Sequence, residues 1–294
     1  MNSSFSLNID RRQWLQTAAA GALSSALGGP ALAQAYPQRP VVLVCPFAPG
    51  GSADIMARLV AQKLSEGLKQ SVVVENKPGA GGLVGAGLVA KARPDGHTLL
   101  LISSGTAVSA ALFKTLPFDT LKDFAPVSKL ASFDLVLCVA EGGRFKTLAE
   151  VLDYARAQPG RLNIGTPQPG TTQHLAAELF KFEAGIDLVH VPYKGSAPAV
   201  SALLAGEVDV LFDNVPNIVQ HVRAGKMRAL GVTSKTRAPL LPDIVPITEA
   251  GVPGYEINVW FGMQMPAGVA TADLEKANRD IASILREPDV VAKF

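Results

Sequence analysis

Residues 41–60 read VVLVCPFAPGGSADIMARLV, which predicts a buried strand, a glycine-containing loop and the start of a helix. The β-branched run Val41–Cys45 is typical of a strand, and residues 53–68 have the apolar spacing of an amphipathic helix. Ser52 lies at the junction and is expected to be the N-cap residue of that helix. A strand followed by a loop and a helix favours a parallel sheet covered by helices.

Alternating strand-like and helical runs occur twice along the chain, which predicts two α/β lobes. Strands are expected at 41–45, 71–75, 99–103, 135–139, 163–165, 188–190, 208–212 and 229–233. Helices are expected at 53–68, 83–92, 148–157, 172–184, 197–205, 219–224 and 272–285. Open parallel sheets bind ligands at the carboxyl ends of their strands. The loops 46–52, 103–106, 166–171 and 213–214 are therefore the expected walls of a binding site.

The composition indicates a globular protein and excludes several classes. Of 294 residues, 48% are hydrophobic and 18% are charged, whereas disordered chains are poor in apolar residues. Basic and acidic residues nearly balance, with a formal net charge of +2, so the concentrated cationic face of a nucleic-acid-binding protein is not expected. No segment beyond the N-terminal stretch 13–38 approaches the ~20 strongly apolar residues of a membrane-spanning helix.

Residues 1–35 are expected to be an export signal, whose removal leaves a mature chain that begins at Tyr36. Paired arginines at 11–12 precede a mildly apolar region, and small residues at 31–35 offer cleavage sites. The arginine pair is similar to the twin-arginine export pattern, and an ordinary secretory signal is the alternative. Both routes predict a protein of the periplasm.

Two glycine- and hydroxyl-rich loops at strand ends are candidates for capturing an anion. The first spans 47–54, and the second spans 166–172, where Thr171 or Thr172 is expected to cap the next helix. Backbone N–H groups at the start of a helix attract an anion, although a plain turn with a capping residue is the alternative. Neither loop contains Lys or Arg. The sequence therefore predicts that neutral groups hold the anion.

Other chemistries receive little support from the sequence. The pattern G-x-G-x-x-A at 85–90 lies inside a helical run, where it does not indicate dinucleotide binding, and no cofactor is expected. The four histidines (His97, His174, His190 and His221) lack metal-ligand spacing, so no metal site is expected. A hydrolase triad of Ser104, His174 and Asp213 is a weak alternative, because no nucleophile elbow is present. Cys45 and Cys138 lie in strand-like runs and are expected to be buried free thiols, with one disulfide as the alternative.

Six motifs in order along the chain carry a resemblance to a known family. They are YPQRP at 36–40, PFAPGGSAD at 46–54, VVENKPGAGG at 73–82, PDGHTL at 94–99, KDF at 122–124 and HVPYKG at 190–195. Together they resemble the Bug-type extracytoplasmic solute receptors, the substrate-binding components of tripartite tricarboxylate transporters. The match runs from Tyr36 to about Gly268.

The resemblance implies an α/β, two-lobed type II periplasmic-binding-protein fold, with a mainly parallel sheet in each lobe and the ligand in the cleft between the lobes. It places lobe 1 at 36–138 and 254–294, and lobe 2 at 139–253. Its loop positions, with the strand ends above, give the expected ligand-binding residues Phe47, Ala48, Gly50, Gly51, Ser52, Asp54, Ser103, Ser104, Thr166, Gln168, Gly170, Thr171, Thr172, His174 and Asp213. Gln168 stands where the family usually has glycine, which puts an amide at a position expected to affect specificity.

The implied function is capture of a small carboxylate without catalysis, followed by delivery to the membrane subunits of a transporter. Presentation of the ligand to a sensor kinase is the first alternative, and an α/β hydrolase is the second. A monomer is expected, and the identity of the carboxylate stays open. The chain ends at Phe294, where the family usually continues with a helical tail, so apolar surface of lobe 1 is expected to be exposed.

Overall fold

The computed structural model describes residues 36–291, apart from the side chains of Ser109 and Ala110. The expected export signal at 1–35 lies outside the described residues. Residues 36–38, which include a cis peptide bond between Tyr36 and Pro37, belong to a separate unit from the rest of the chain. The second unit begins at Arg39.

Strands and helices alternate as the sequence predicts, with some differences in their bounds. The strands in the described residues are β1 (Val41–Cys45), β2 (Val72–Asn76), β3 (Thr98–Ser103), β4 (Phe124–Ala140), β5 (Asn163–Pro167), β6 (Val189–Tyr193), β7 (Val210–Asn214), β8 (Met227–Val232) and β9 (Asn258–Pro266). The helices there are α1 (Ser52–Leu68), α2 (Leu83–Ala90), α3 (Ser104–Leu112), α4 (Leu148–Ala157), α5 (Thr172–Ala184), α6 (Ser196–Ala205), α7 (Val215–Arg223), α8 (Thr271–Ile284) and α9 (Pro288–Val291). A 3₁₀ turn, Ala80–Gly82, precedes α2.

The sheet has the strand order β2-β1-β3-β9-β4-β7-β5-β6, and β8 also pairs with β4. β1 is parallel to β2 and β3, and β5 is parallel to β6 and β7, whereas all pairs that involve β4 or β9 are antiparallel. The sheet is therefore mixed, with parallel strands towards both edges.

The long strand β4 belongs to both parts of the sheet. From Phe124 to Asp134 it pairs with β9, and from Leu135 onwards it pairs with β7 and β8. We call β1–β3, β9, this first part of β4 and helices α1–α3, α8 and α9 the first half, and the remaining elements the second half. The predicted lobe boundaries at 138 and 254 stay predictions, and the change of strand pairing falls slightly earlier in β4.

Each half has an apolar core of its own, as two lobes require. In the first half, Val44, Leu100 and Phe124 belong to one buried cluster that α2 covers. In the second half, Val136 and Leu211 belong to another cluster, packed under α6 and α7. The two clusters have no residue in common, and β4 contributes Phe124 to the first and Val136 to the second.

Two boundary predictions are wrong for identifiable reasons. Ser52 is the first residue of α1, whose N-cap is Gly51, and its hydroxyl accepts a hydrogen bond from Asn214 instead of capping the helix. Ser104-Gly105-Thr106 is the first turn of α3 rather than a loop. The Thr106 hydroxyl accepts from the backbone N–H of Ser103, at 3.4 Å, which is the return bond of a capping box.

Cys45 and Cys138 are buried free thiols, as the sequence predicts. Burial raises the pKa of Cys45 to about 12, and burial also raises the pKa of Cys138. Both side chains therefore act as small apolar residues of the core. No helix among residues 36–291 has the length and apolar character that crossing a membrane would need.

Tyr255 anchors the chain where it returns from the second half to the first. Its ring is fully buried, stacks on Phe212 with 5.9 Å between centroids and meets Phe180 edge-on. Its hydroxyl donates a hydrogen bond of 2.9 Å to the carbonyl of Ala176 in α5. One side chain thus ties the returning segment to both β7 and α5.

Replacing Tyr255 by Phe keeps the ring contacts and removes only this hydrogen bond. We expect the free energy of unfolding in urea to fall by about 1 kcal/mol, the usual net value of a buried hydrogen bond. Tyr154→Phe is the matched control, because Tyr154 in α4 is half-buried, its ring packs on Phe145, and it should tolerate the change. Equal stabilities for the wild type and Tyr255→Phe would contradict this account.

Candidate functional site

A cavity with a volume of about 60 Å³ lies between the two halves, at the carboxyl ends of the parallel strands. Two walls enclose it, one from each half. The first wall contains Pro46, Phe47, Ala48, Gly51, Ser52, Ala53, Pro78, Gly79, Gly81, Gly82, Ser103, Val259 and Phe261. The second wall contains Pro167, Gln168, Thr171, Thr172, Gln173, Lys194, Gly195, Ser196 and Asn214.

The two walls are joined by hydrogen bonds around the cavity. Asn214 Nδ2 donates to the Ser52 hydroxyl at 2.6 Å, and the hydroxyls of Ser104 and Thr172 lie 2.9 Å apart. All of these groups belong to the starts of helices or to the residues just before them. The structure therefore shows the two halves in contact beside the cavity.

Glycine allows the walls to approach this closely at two places. A Cβ atom on Gly105 would lie 3.0 Å from the backbone nitrogen of Thr172, closer than real side chains normally approach a backbone atom. A Cβ on Gly195, whose φ is +153°, would lie 3.1 Å from the Cβ of Ala48 in the opposite wall. Larger residues at either position would push the halves apart.

Several helices begin at the cavity and direct their N-terminal ends towards it. The N-cap residues of α1, α6 and α7 are Gly51, Gly195 and Asn214, and none of the three makes a side-chain capping bond. By contrast, α5 is capped by Thr171, whose hydroxyl accepts from His174 N at 3.3 Å, as predicted. Helix N-termini carry a partial positive charge and exposed N–H donors. The cavity therefore favours an anionic group.

One cation also lines the cavity, which the sequence reading missed. Lys194 follows β6 directly and is exposed at the second wall. Lys194 thus adds a cationic group to the cavity, and the prediction that neutral groups hold the anion stays a prediction. Lys194 belongs to the motif HVPYKG at 190–195, which the sequence analysis identifies. The predicted strand ends at residue 190, so the prediction does not place Lys194 at the end of a strand.

Asp54 supports the first wall from behind. Its carboxylate accepts hydrogen bonds from Gly50 N (3.1 Å), Arg58 Nε (3.0 Å) and Asn76 Nδ2 (2.8 Å). Burial alone would raise the pKa of Asp54, but the bonds from Arg58, Asn76 and Gly50 outweigh burial, and the pKa lies below its ordinary value of 3.8. Asp54 thus stays ionised and fixes the loop that carries Gly50.

Asp213 supports the second wall in the same way. Its Oδ1 accepts from Ser196 (2.9 Å), Gln173 (3.3 Å), Asn217 (2.9 Å) and Asn214 N (2.7 Å). Burial raises the pKa of this fully buried carboxyl, although all four hydrogen bonds oppose the increase. Three of the four donors are residues that line the cavity, so Asp213 orients the wall and does not reach the cavity itself.

The structure places eight of the predicted site residues at the cavity: Phe47, Ala48, Gly51, Ser52, Ser103, Gln168, Thr171 and Thr172. The others are not lining residues: Gly50, Asp54, Ser104, Thr166, Gly170, His174 and Asp213. Among them, Gly50, Asp54, Ser104 and Asp213 use polar groups in hydrogen bonds within the protein. Whether any predicted residue contacts a ligand stays a prediction.

Sequence reasoning missed other lining residues besides Lys194. The turn at 78–82 is not among the predicted walls, and β9, which contributes Val259 and Phe261, is not among the predicted strands. Ser196 begins α6 one residue before the predicted start of that helix. Asn214, by contrast, belongs to the loop 213–214, which the rule for strand ends predicts as a wall.

The hypothetical hydrolase triad is not assembled. The Ser104 hydroxyl pairs with Thr172, and Asp213 is surrounded by the donors of its own wall. The His174 ring instead lies 4.5 Å, between centroids, from the ring of His190. Burial lowers the pKa of both histidines, to about 4 for His190, whose pKa is lowered further by His174.

The geometry agrees with comparisons to known proteins. Residues 56–294 match the family described as tripartite tricarboxylate transporter family receptor. BugT of Bordetella pertussis is 36% identical over 273 residues, which cover 92% of this chain and 84% of BugT. This chain belongs to the tripartite tricarboxylate transporter receptor family. The family resemblance seen in the sequence is therefore confirmed, and the chain is a solute-binding receptor and not an enzyme.

Solved structures of receptors in this family confirm the two-lobed α/β periplasmic-binding-protein fold. Rpa4515 of R. palustris, solved with adipate, has a TM-score of 0.84 and 38% identity, with 88% of this chain and 87% of that chain covered. MatC of Rhodopseudomonas palustris, solved with bound malate, has a TM-score of 0.83 and 34% identity, with 88% of each chain covered.

Replacing Asp54 by Asn should loosen the first wall of this receptor. At pH 7 we expect a loss of about 1–3 kcal/mol in the free energy of unfolding, because the charged acceptor of three hydrogen bonds is removed. A lowered carboxyl pKa contributes stability above the ordinary value of 3.8, and this contribution disappears as the pH falls through the folded-state pKa.

The difference between the wild type and Asp54→Asn should therefore shrink steadily below pH 4 in urea unfolding followed by circular dichroism. Asp153→Asn is the matched control, because the Asp153 side chain is 79% exposed on α4 and should show no such difference. A deficit of the same size at pH 7 and at pH 3 would contradict the assignment.

Proposed function

We propose that this receptor captures a small organic acid, as its carboxylate, in the cavity between the two halves. The observation that carries the proposal is the convergence of three helix N-termini without side-chain caps, at Gly51, Gly195 and Asn214, beside Lys194. Backbone N–H groups and helix dipoles hold carboxylates and phosphates alike in other proteins. The size and the apolar part of the cavity favour the carboxylate of a small acid.

The cavity is matched to a short carbon chain with polar ends. A volume of about 60 Å³ favours a small ligand. Phe47 and Phe261 line part of the cavity and meet edge-on, with 6.1 Å between ring centroids. This apolar part would contact the carbon chain of the acid while the helix starts hold its carboxylate.

Relatives of this chain support a carboxylate ligand. The structures of Rpa4515 and MatC contain adipate and malate, both of which carry two carboxylates, on the same fold. In this chain Asn214 Oδ1 is buried and has no hydrogen-bond partner among the described residues. A hydroxyl on the acid could donate to this oxygen, which favours a hydroxy acid over a plain one.

The proposed mechanism is hinge closure. β4 continues from one half into the other, while the returning segment leads into β9, so these two connections are the natural hinges. A ligand that contacts both walls stabilises the closed form by its differential affinity for it. The bonds from Ser52 to Asn214 and from Ser104 to Thr172 would form on closure and close the cavity.

The remaining parts of the proposed function come from the family. We infer that the protein works as a monomer in the periplasm and delivers its acid to the membrane subunits of a tripartite tricarboxylate-type transporter. Relatives of known structure include a periplasmic transporter protein and the periplasmic binding protein BugD, which supports this location. Co-purification with the membrane subunits encoded beside it would test delivery.

A thermal-shift screen with malate, adipate and citrate tests capture directly. A ligand at 100 times its Kd adds about 2.7 kcal/mol, so at least one acid should raise the Tm by several degrees. Gly51→Leu should abolish this increase. A Cβ at Gly51 would already lie 3.9 Å from Ser196 across the cavity, and leucine would extend into the space that the acid needs.

Gly67→Leu is the matched control, because Gly67 lies on the same helix α1 with nothing near a Cβ atom there, and its shift should equal that of the wild type. Absence of a shift with all three acids, together with a shift by neutral solutes, would overturn the carboxylate ligand. An unchanged shift in Gly51→Leu would overturn the location of the site.

A further inference from the structure

One group of metal-ligating side chains stands out in residues 36–291, although the sequence predicts none. His174 and Glu178 lie one turn apart on α5, and His190 lies on the neighbouring strand β6. One potential ligand atom from each residue lies within 4.8 Å of the other two. The spacing along the sequence does not indicate this group, because most of α5 and the turn after it separate His174 from His190.

The three side chains lie close together without hydrogen bonds that would explain their arrangement. His190 Nδ1 lies 3.7 Å from Glu178 Oε1, which is too long for a hydrogen bond. His190 Nε2 is buried and has no hydrogen-bond partner among the described residues. Packing of two imidazole rings against an acid is the simplest alternative, but it leaves this buried nitrogen unsatisfied.

The donor set has the chemistry of a transition-metal site. Two imidazole nitrogens and one carboxylate oxygen are ligands that Zn²⁺ prefers, and a water molecule can complete a tetrahedral site. Burial lowers the pKa of both histidines, so their rings are neutral at pH 7 and offer free lone pairs. Glu178 brings the negative charge, and its side chain is 44% exposed, so it can turn towards an ion.

We propose that His174, Glu178 and His190 bind a divalent first-row transition-metal ion, Zn²⁺ in particular, that links α5 to β6. Ligand atoms of a tetrahedral zinc ion lie about 3.3 Å apart, so the three side chains would have to move closer together on binding. Lys181 Nζ lies 3.6 Å from Glu178 Oε1 and competes with the ion for this carboxylate. The competition should keep the affinity moderate.

The position of the site couples it to the second wall of the cavity. His174 directly follows Thr172 and Gln173, which line the cavity, and β6 leads directly to Lys194. A metal ion at this point would hold both lining segments in fixed relation to one another. Its role would be structural, because none of the three ligands is a lining residue.

Titration of the untagged, metal-free protein with Co²⁺ tests the proposal. We expect visible absorption bands of a tetrahedral Co²⁺ site that saturate at about one equivalent, and their loss when Zn²⁺ displaces Co²⁺. Glu178→Gln and His190→Gln should weaken binding by at least about tenfold. His221→Gln is the matched control, since His221 lies on α7, outside the group, and binding should be unchanged.

Lys181→Gln provides a second test that does not depend on removing a ligand. Since its ammonium competes for Glu178, the variant should bind Zn²⁺ several times more tightly than the wild type. Circular dichroism without metal checks that each variant is folded. Failure of the wild type to bind Co²⁺ or Zn²⁺, or equal weakening by His221→Gln and Glu178→Gln, would overturn the proposal.

Discussion

Backbone N–H groups at the start of a helix need a hydrogen-bond acceptor, and the arrangement of this receptor depends on that requirement. Parallel strands of both halves end at the cavity, so the helices that follow them begin there. The N-cap residues Gly51, Gly195 and Asn214 make no side-chain capping bond, which leaves N–H donors of these helices without side-chain caps. A carboxylate between the halves can accept from several of these donors at once. In the proposed function, the contacts that bind the ligand would also hold the two halves together.

The acidic residues near the cavity maintain its shape and do not contribute to its charge. Asp54 holds the first wall through Gly50, Arg58 and Asn76, while Asp213 collects four donors behind the second wall. Neither carboxylate lines the cavity, where an unpaired negative charge would oppose the binding of an anion. Asp54 is paired with Arg58, and Asp213 is hydrogen-bonded through Oδ1, although its buried Oδ2 has no hydrogen-bond partner among the described residues.

Local patterns predicted much of the fold, and long-range contacts explain what they missed. The strand Val41–Cys45 and the helices α4 and α5 have their predicted bounds, since apolar periodicity and capping residues act within a few positions. The first part of β4 was missed because two irregularities, after Pro126 and after Lys129, break its alternation. Glu178 and His190 lie close together only because the fold brings α5 and β6 side by side. Their spacing along the chain cannot predict this proximity.

In the proposed function, the starts of helices hold the carboxylate, and Lys194 adds to their attraction. Calorimetric titration of the wild type and Lys194→Gln with the most stabilising acid measures how much of the affinity depends on Lys194. Lys129→Gln is the control, because Lys129 is also an exposed lysine but does not line the cavity. Because an exposed charge contributes only about 1 kcal/mol, the account predicts binding about fivefold weaker in Lys194→Gln, still saturable and with unchanged stoichiometry. Complete loss of binding in that variant would contradict the account, since the lysine and not the helix starts would then carry the affinity.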